Sequence, residues 1–273
     1  SVAYAEKTIT VSGAAVDIAS CQDLQMLDSN SGRPYANINL TQDIDCQGQT
    51  VASQFRSGEF KGSLNGNGNT IKNVVIDEPD DGCVGLFAET EGASITNLKL
   101  DAITTTAEES VGSLIGCAHN TTISNVQATN VTVNSEYGYS GGLIGEFGAE
   151  DEAEVNLTNS SAAGSVTSQY GGNSGGLVGS AWAGDNAQLN IHKVYADVTV
   201  SVTGTENENI GGLIGFLKLN LYDDNQTPHI TLSDAYVWGT VNAPDNWDVG
   251  GVVGEASFED DENDHGALSL DIA

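Results

Sequence analysis

The chain is short of cations. Its 273 residues hold 8 Lys and Arg against 38 Asp and Glu, a formal charge of −30. The arginines are Arg33 and Arg56 alone. Phosphate backbones are bound by clustered Lys and Arg, and anionic membrane surfaces attract polybasic segments. Nucleic acid and anionic lipid are therefore excluded as partners. Long apolar runs are missing too: none reaches the ~18 residues that a membrane helix needs, so no direct membrane insertion by a helix is expected. Cys21, Cys46, Cys83 and Cys117 show none of the paired CxxC spacing of a zinc site. Aromatics are 6% of the chain, too few for an aromatic-rich core. The acidity itself has two readings. A solvated acidic surface keeps a protein soluble at the cost of self-repulsion, as in halophiles, and fits a saline habitat. Carboxylates also bind divalent cations.

What the chain has in quantity is repetition. One block recurs as Val84-Gly-Leu-Phe-Ala88, Gly112-Ser-Leu-Ile-Gly116, Gly141-Gly-Leu-Ile-Gly145, Gly175-Gly-Leu-Val-Gly179, Gly211-Gly-Leu-Ile-Gly215 and Gly250-Gly-Val-Val-Gly254. Its spacings are 28, 29, 34, 36 and 39 residues, so later units absorb extra residues in loops. A second block follows, as in Ile95-Thr-Asn97-Leu98 and Ile123-Ser-Asn125-Val126, and then a third apolar stretch such as Val131-Thr-Val133. Each is short, β-branched and bounded by Gly, Asn or Ser, which is strand chemistry. Three short strands per unit describe one coil of a right-handed parallel β-helix. A single coil cannot bury its apolar side, whereas stacked coils build a continuous core. At about 4.8 Å per coil, seven or eight coils make a rod of about 35 Å. Glycine is expected to supply positive φ at the corners, with Asn73, Asn97, Asn125 and Asn159 stacked as an amide ladder that Lys193 and Asp234 interrupt.

These blocks resemble the GLUG motif of bacterial and archaeal surface proteins, adhesins among them. The upstream segment extends the resemblance: Cys21-Gln-Asp-Leu-Gln-Met-Leu27, Ile38-Asn-Leu40-Thr-Gln-Asp43-Ile-Asp45-Cys46 and Phe60-Lys-Gly62-Ser-Leu-Asn65-Gly-Asn-Gly68. The resemblance implies a short N-terminal helix covering the first coil, with Leu24 and Leu27 as its buried face and a Cys21–Cys46 disulfide pinning it. It implies residues 1–70 as cap and first coils, and 71–273 as repeats of one continuous domain. A disulfide implies an oxidising compartment, and Ala3-x-Ala5 matches the small-residue pattern where a leader is cut. Cys83 and Cys117 fall at different register positions in adjacent repeats, which places them apart and unpaired. Fold does not imply function, and the resemblance brings no catalytic residues with it.

Candidate sites are few. Glu150, Asp151, Glu152, Asp223, Asp224, Asp260, Asp261 and Asp264 follow Gly blocks, so they fall at one corner of successive coils. They read as solvated loops, with a weak Ca²⁺ site as the alternative; no other cofactor is expected. Gly172-Asn-Ser174-Gly-Gly176 matches the nucleophile-elbow pattern without its strand–turn–helix context. Asp43-x-Asp45-x-Gln47 begins like a calcium loop but has Gln54 where Glu belongs. The histidines are scattered and read as surface groups. Asn39, Asn120, Asn130, Asn156, Asn159 and Asn225 head N-x-S/T sequons, acceptors for glycans in a secreted protein. Tyr137, Tyr139, Tyr170 and Trp247 lie in loops where they can stack on sugars. The expected role is a non-catalytic extracellular structural or adhesive module at the cell surface, with a glycan or surface ligand as partner. Self-association into a filament by strand pairing, through Lys7–Val11 and the last coil, is the alternative. A polysaccharide-active enzyme comes third, since both arginines lie in the cap region and the lysines do not cluster.

Overall fold

A computed structural model describes residues 15–27, 34–204, 209–221, 227–243, 248–260 and 270–272. The chain is a parallel β-helix with three faces. Among the described residues, the long face carries a ladder of nine rungs. It runs from Ala15–Ile18 through Asn37–Leu40 and Ser63–Asn65 to Ser94–Ala107 and Thr122–Ser135. Glu154–Thr158, Gln188–Val202, His229–Val237 and Leu270–Ile272 complete it. Nine rungs bound eight turns. A second face stacks Phe87–Glu91, Ile115–His119, Ile144–Ala149, Val178–Ala183, Ile214–Leu221 and Val253–Asp260. A short face stacks pairs or triplets such as Ser110–Val111, Ser140–Gly141 and Asn209–Gly211. Neighbouring rungs pair in parallel.

The core follows from the repeat. The central residues Leu86, Leu114, Leu143, Leu177 and Leu213 are fully buried, and so are their successors Phe87, Ile115, Ile144, Val178 and Ile214. Ile95, Ile123, Leu157, Ile191 and Leu232 form a parallel buried column from the second block. One apolar cluster runs from Ile18 to Leu232. Each such side chain contributes about 1.5–3 kcal/mol by leaving water, and every coil repeats the contribution.

Asparagine, not the block glycine, is the commonest residue at the positive-φ bends. The second and third apolar blocks are not separate strands in the early coils: Ser94–Ala107 runs through both, bent at Asn97 (φ 56°) and Ala102 (φ 53°). The first bend stacks Asn97, Asn125, Asn159, Lys193 and Asp234, all at positive φ. The second stacks Asn73, Ala102 and Asn130. Asn73 therefore belongs to the second column. Its Nδ2 donates to Asp45 Oδ1 at 2.8 Å, while Asn125 donates to Asn97 at 2.8 Å and Asn97 to Asn65 at 3.2 Å. Asn73 thus stands outside the expected amide ladder, because the motif Ile71-Lys-Asn73-Val74 pairs with the second bend of the next coil. The block glycines are absent from the positive-φ set. They permit close approach instead: a Cβ on Gly175 would stand 2.0 Å from the Val178 carbonyl oxygen, and one on Gly179 2.6 Å from Ser140 N of the preceding coil.

The N-terminal end is closed by the helix Cys21–Gln25. Ser20 caps it: its Oγ accepts from Asp23 N at 3.2 Å, and Asp23 accepts in return from Ala19 N at 3.0 Å. This reciprocal pairing satisfies two otherwise orphaned N–H groups. Leu24 and Leu27 are buried beneath the helix, and Cys21 is bonded to Cys46 with a Cα–Cα distance of 5.2 Å. A second closure lies on the other side. Phe55 and Phe60 stack with Phe87 at centroid distances of 5.0–5.9 Å, so residues 54–60 cover the first rung of the second face.

Cys83 is bonded to Cys117, with a Cα–Cα distance of 5.6 Å. This corrects the expectation that both stay unpaired. Equivalent register along one face is not the relevant geometry. Cys83 opens the short-face strand Cys83–Val84 of its coil, and the next coil's second face passes directly against that strand. A Cβ on Gly116 would stand 2.3 Å from Val84 N, so the neighbouring Cys117 is brought onto Cys83.

Candidate functional site

The corner between the second and long faces gathers the most chemistry. Gly92, Asn120, Asp151, Glu152, Asp185 and Asn186 occupy it, all at positive φ. Two loops of this corner meet across adjacent coils, where Glu152 N donates to Asp185 O at 3.0 Å. Asp260 ends its strand, and Asp223, Asp224, Asp261 and Asp264 lie outside the described residues.

Just inside this corner, Glu91, His119 and Glu150 converge, with one ligand atom from each lying within 4.8 Å of the others. Strand register explains the meeting. Glu91 pairs with His119, and His119 with Gly148, two residues before Glu150. Three successive coils thus supply one group each. Asn120 braces the ends: its Nδ2 donates to Glu91 at 3.1 Å, and its Oδ1 accepts from Glu150 N at 2.9 Å. The Trp182 ring meets His119 edge-on at 5.8 Å and donates its Nε1 to Glu146 at 2.9 Å. His119 Nε2 is screened from solvent and makes no hydrogen bond among the described residues, with Glu146 Oε1 at 4.0 Å. Burial holds the Glu150 carboxyl above its ordinary range; His119 opposes this, and Asp151, Glu91 and Asp185 add to it. From sequence alone, Glu150 belongs to a loose acidic ridge and His119 to the surface. The signal that links them is their position relative to the Gly block, at residues 5–7 after the central Leu in each coil.

Other candidates resolve differently. Ser174 is fully buried and shares a hydrogen bond of 2.9 Å with Ser140 of the coil below, so it packs as part of a hydroxyl column. Asp43 accepts from Thr70 N at 2.8 Å, and Asp45 from Gln47 N at 2.9 Å. These carboxylates brace the first turns. Among the sequons, Asn130 donates to Asp101 at 2.7 Å and Asn39 to Asp17 at 3.4 Å, while Asn156 accepts from Asn190 at 3.3 Å. Asn159 sits in the first bend column, and Asn225 lies outside the described residues.

The aromatic candidates form two groups. Tyr137 and Tyr170 are exposed on adjacent loops, their rings 6.2 Å apart. Tyr139 is partly covered, and Trp247 lies outside the described residues. A second group lies on the long face. Tyr195 and Tyr236 are partners on adjacent rungs of the long face, and Trp238 beyond them is 80% exposed. Their shared offset, two residues past the bend residues Lys193 and Asp234, is the legible signal. Alongside them Gln127, Ser161 and Tyr195 line a shallow open groove with Asn125 and Asn159.

Among the described residues, no helix is long and apolar enough to cross a membrane. No solved structure matches the chain. It is similar to halomucin of Haloquadratum walsbyi (strain DSM 16790 / HBSQ001), at 34% identity over 156 residues. That match covers 53% of this chain and spans 2% of the relative's length. The family model described as the GLUG motif matches residues 107–134. These residues contain the block Gly112–Gly116 and the second and third apolar stretches that follow it, one whole coil. The chain is thus a parallel β-helix of stacked repeats that carries the GLUG motif.

Proposed function

We propose that the chain is an extracellular, non-catalytic module of a cell-surface protein, a stiff spacer whose long face contacts glycans. The observation that carries this reading is the exposed aromatic group on a flat parallel face: Tyr195 and Tyr236 in register, with Trp238 beside them. Planar aromatic rings cover the apolar faces of sugar rings, while neighbouring amides and hydroxyls meet their hydroxyl groups. Groups such as Asn125, Gln127 and Ser161 supply that polar surround. Stiffness follows from the unbroken core and the two disulfides, which suit an oxidising exterior. Similarity to a small part of a far longer protein supports a modular role.

A glycan array probed with the purified chain tests this. The expected result is retention on a defined set of glycans that Tyr236→Ala with Trp238→Ala abolishes while far-UV circular dichroism is unchanged. Equal retention by the double variant would remove the proposed face. Light scattering of the same sample separates a spacer from a filament subunit: a monodisperse monomer supports the first, growth into polymers the second. Turnover of acidic polysaccharides would refute the non-catalytic assignment.

A further inference from the structure

We propose that Glu91, His119 and Glu150 form a binding site for one divalent transition ion of the Zn²⁺ class, which clasps three successive coils of the helix. The donor set selects the ion. A ring nitrogen with two carboxylate oxygens suits Zn²⁺, which takes three protein ligands and keeps a fourth position for water. Calcium takes six to eight oxygens and has no use for an imidazole here. The distances suit closure. At bonds of about 2.0–2.1 Å, the ligand atoms of a tetrahedral ion stand about 3.4 Å apart. These three groups already lie within 4.8 Å of one another, so closure requires side-chain shifts of about an ångström in partly exposed glutamates rather than backbone movement.

Three further features point the same way. His119 Nε2 is withdrawn from solvent without a hydrogen bond among the described residues, a cost that a ligand or proton sharing at this ring relieves. Asn120 holds both carboxylate-bearing segments, through the Glu91 side chain and the Glu150 backbone. Such outer partners orient ligands in metal sites. Two carboxylates drawn together on a chain already carrying −30 repel each other, and a bound dication reverses the sign of that interaction. Because the ligands come from coils 28 and about 30 residues apart in sequence, binding ties together strands that otherwise meet only through backbone ladders and core.

Titration calorimetry of the full chain, stripped with chelator and then given Zn²⁺, tests the site. One saturable event per chain at micromolar metal is expected, with a rise in melting temperature and no displacement by equimolar Ca²⁺. Replacing Zn²⁺ with Co²⁺ should give the intense visible absorption of four-coordination. His119→Gln and Glu150→Gln should each weaken binding by more than about a hundredfold, beyond the roughly 10–100-fold cost of losing an outer partner. Asn120→Ala, which keeps all three ligands, should weaken it about tenfold. Circular dichroism confirms that each variant folds, and any one folded ligand variant suffices. Weak multi-site heats that Ca²⁺ matches, no binding at all, or a single site unchanged in a folded ligand variant would each overturn the proposal.

Discussion

Single residues in this chain act through what the neighbouring coil places beside them. Glu150 is the clearest case. Burial first, and Asp151, Glu91 and Asp185 with it, raise its pKa above the ordinary 4.5 against the opposing His119. A raised folded value means stability that is present below about pH 4.5 and lost as pH climbs through the folded pKa. Ionised Glu150 is therefore a burden at neutral pH without metal. Glu150→Gln in chelator should raise the melting temperature at pH 7, and the gain should vanish in acid near pH 4; an acid-insensitive gain would place the effect elsewhere. Asp23 behaves oppositely. The Ala19 N–H and then the Ser20 hydroxyl hold its pKa below 3.8, so its contribution is present above that pH and lost as pH falls through the folded value. Ser20→Ala, which removes the cap hydroxyl, should cost about 1 kcal/mol in urea titration. Gly175→Ala places a methyl 2.0 Å from a backbone oxygen and should cost about 3 kcal/mol; a neutral outcome would show that the block turn can open.

At the scale of elements, the repeat is a device for bringing distant residues into one column. Cys83 and Cys117 are 34 residues apart yet joined, because one coil's short face abuts the next coil's second face. In the chain-entropy account, closing a loop of that length stabilises by about 4 kcal/mol. The variant with Cys83→Ala and Cys117→Ala should lose about that much, with the Cys21–Cys46 bond intact, and mass spectrometry after alkylation without reductant should find no free thiol in the parent. The Leu–Ile columns were legible from the sequence because they follow a local period, and the cap helix from the resemblance to the GLUG motif; the fusion of the second and third blocks into one bent strand was not. Nor were the Phe55–Phe60–Phe87 stack and the division of the asparagines into two columns. Both depend on which coil lies next to which, and the repeat spacing varies from 28 to 39 residues.

For the whole molecule, charge dominates. A net −30 on a rod of stacked coils repels itself over a Debye length of about 10 Å at 0.1 M salt, and over only about 3 Å at 1 M. The melting temperature should therefore rise by several degrees between these salt concentrations, and rise as much with KCl as with NaCl; a fall would mean that ion pairs such as Lys72–Asp45 outweigh the repulsion. The sequence alone determined the architecture, because a β-helix coil is specified by short-range patterns: buried Leu-Ile pairs, β-branched strands and the small residues between them. Tertiary structure decided the chemistry. It set His119 between two glutamates from the coils on either side, aligned Tyr195 with Tyr236, and joined Cys83 to Cys117. Each pairing depends on the register between coils, and that register is set by loop lengths and bends that no single repeat contains.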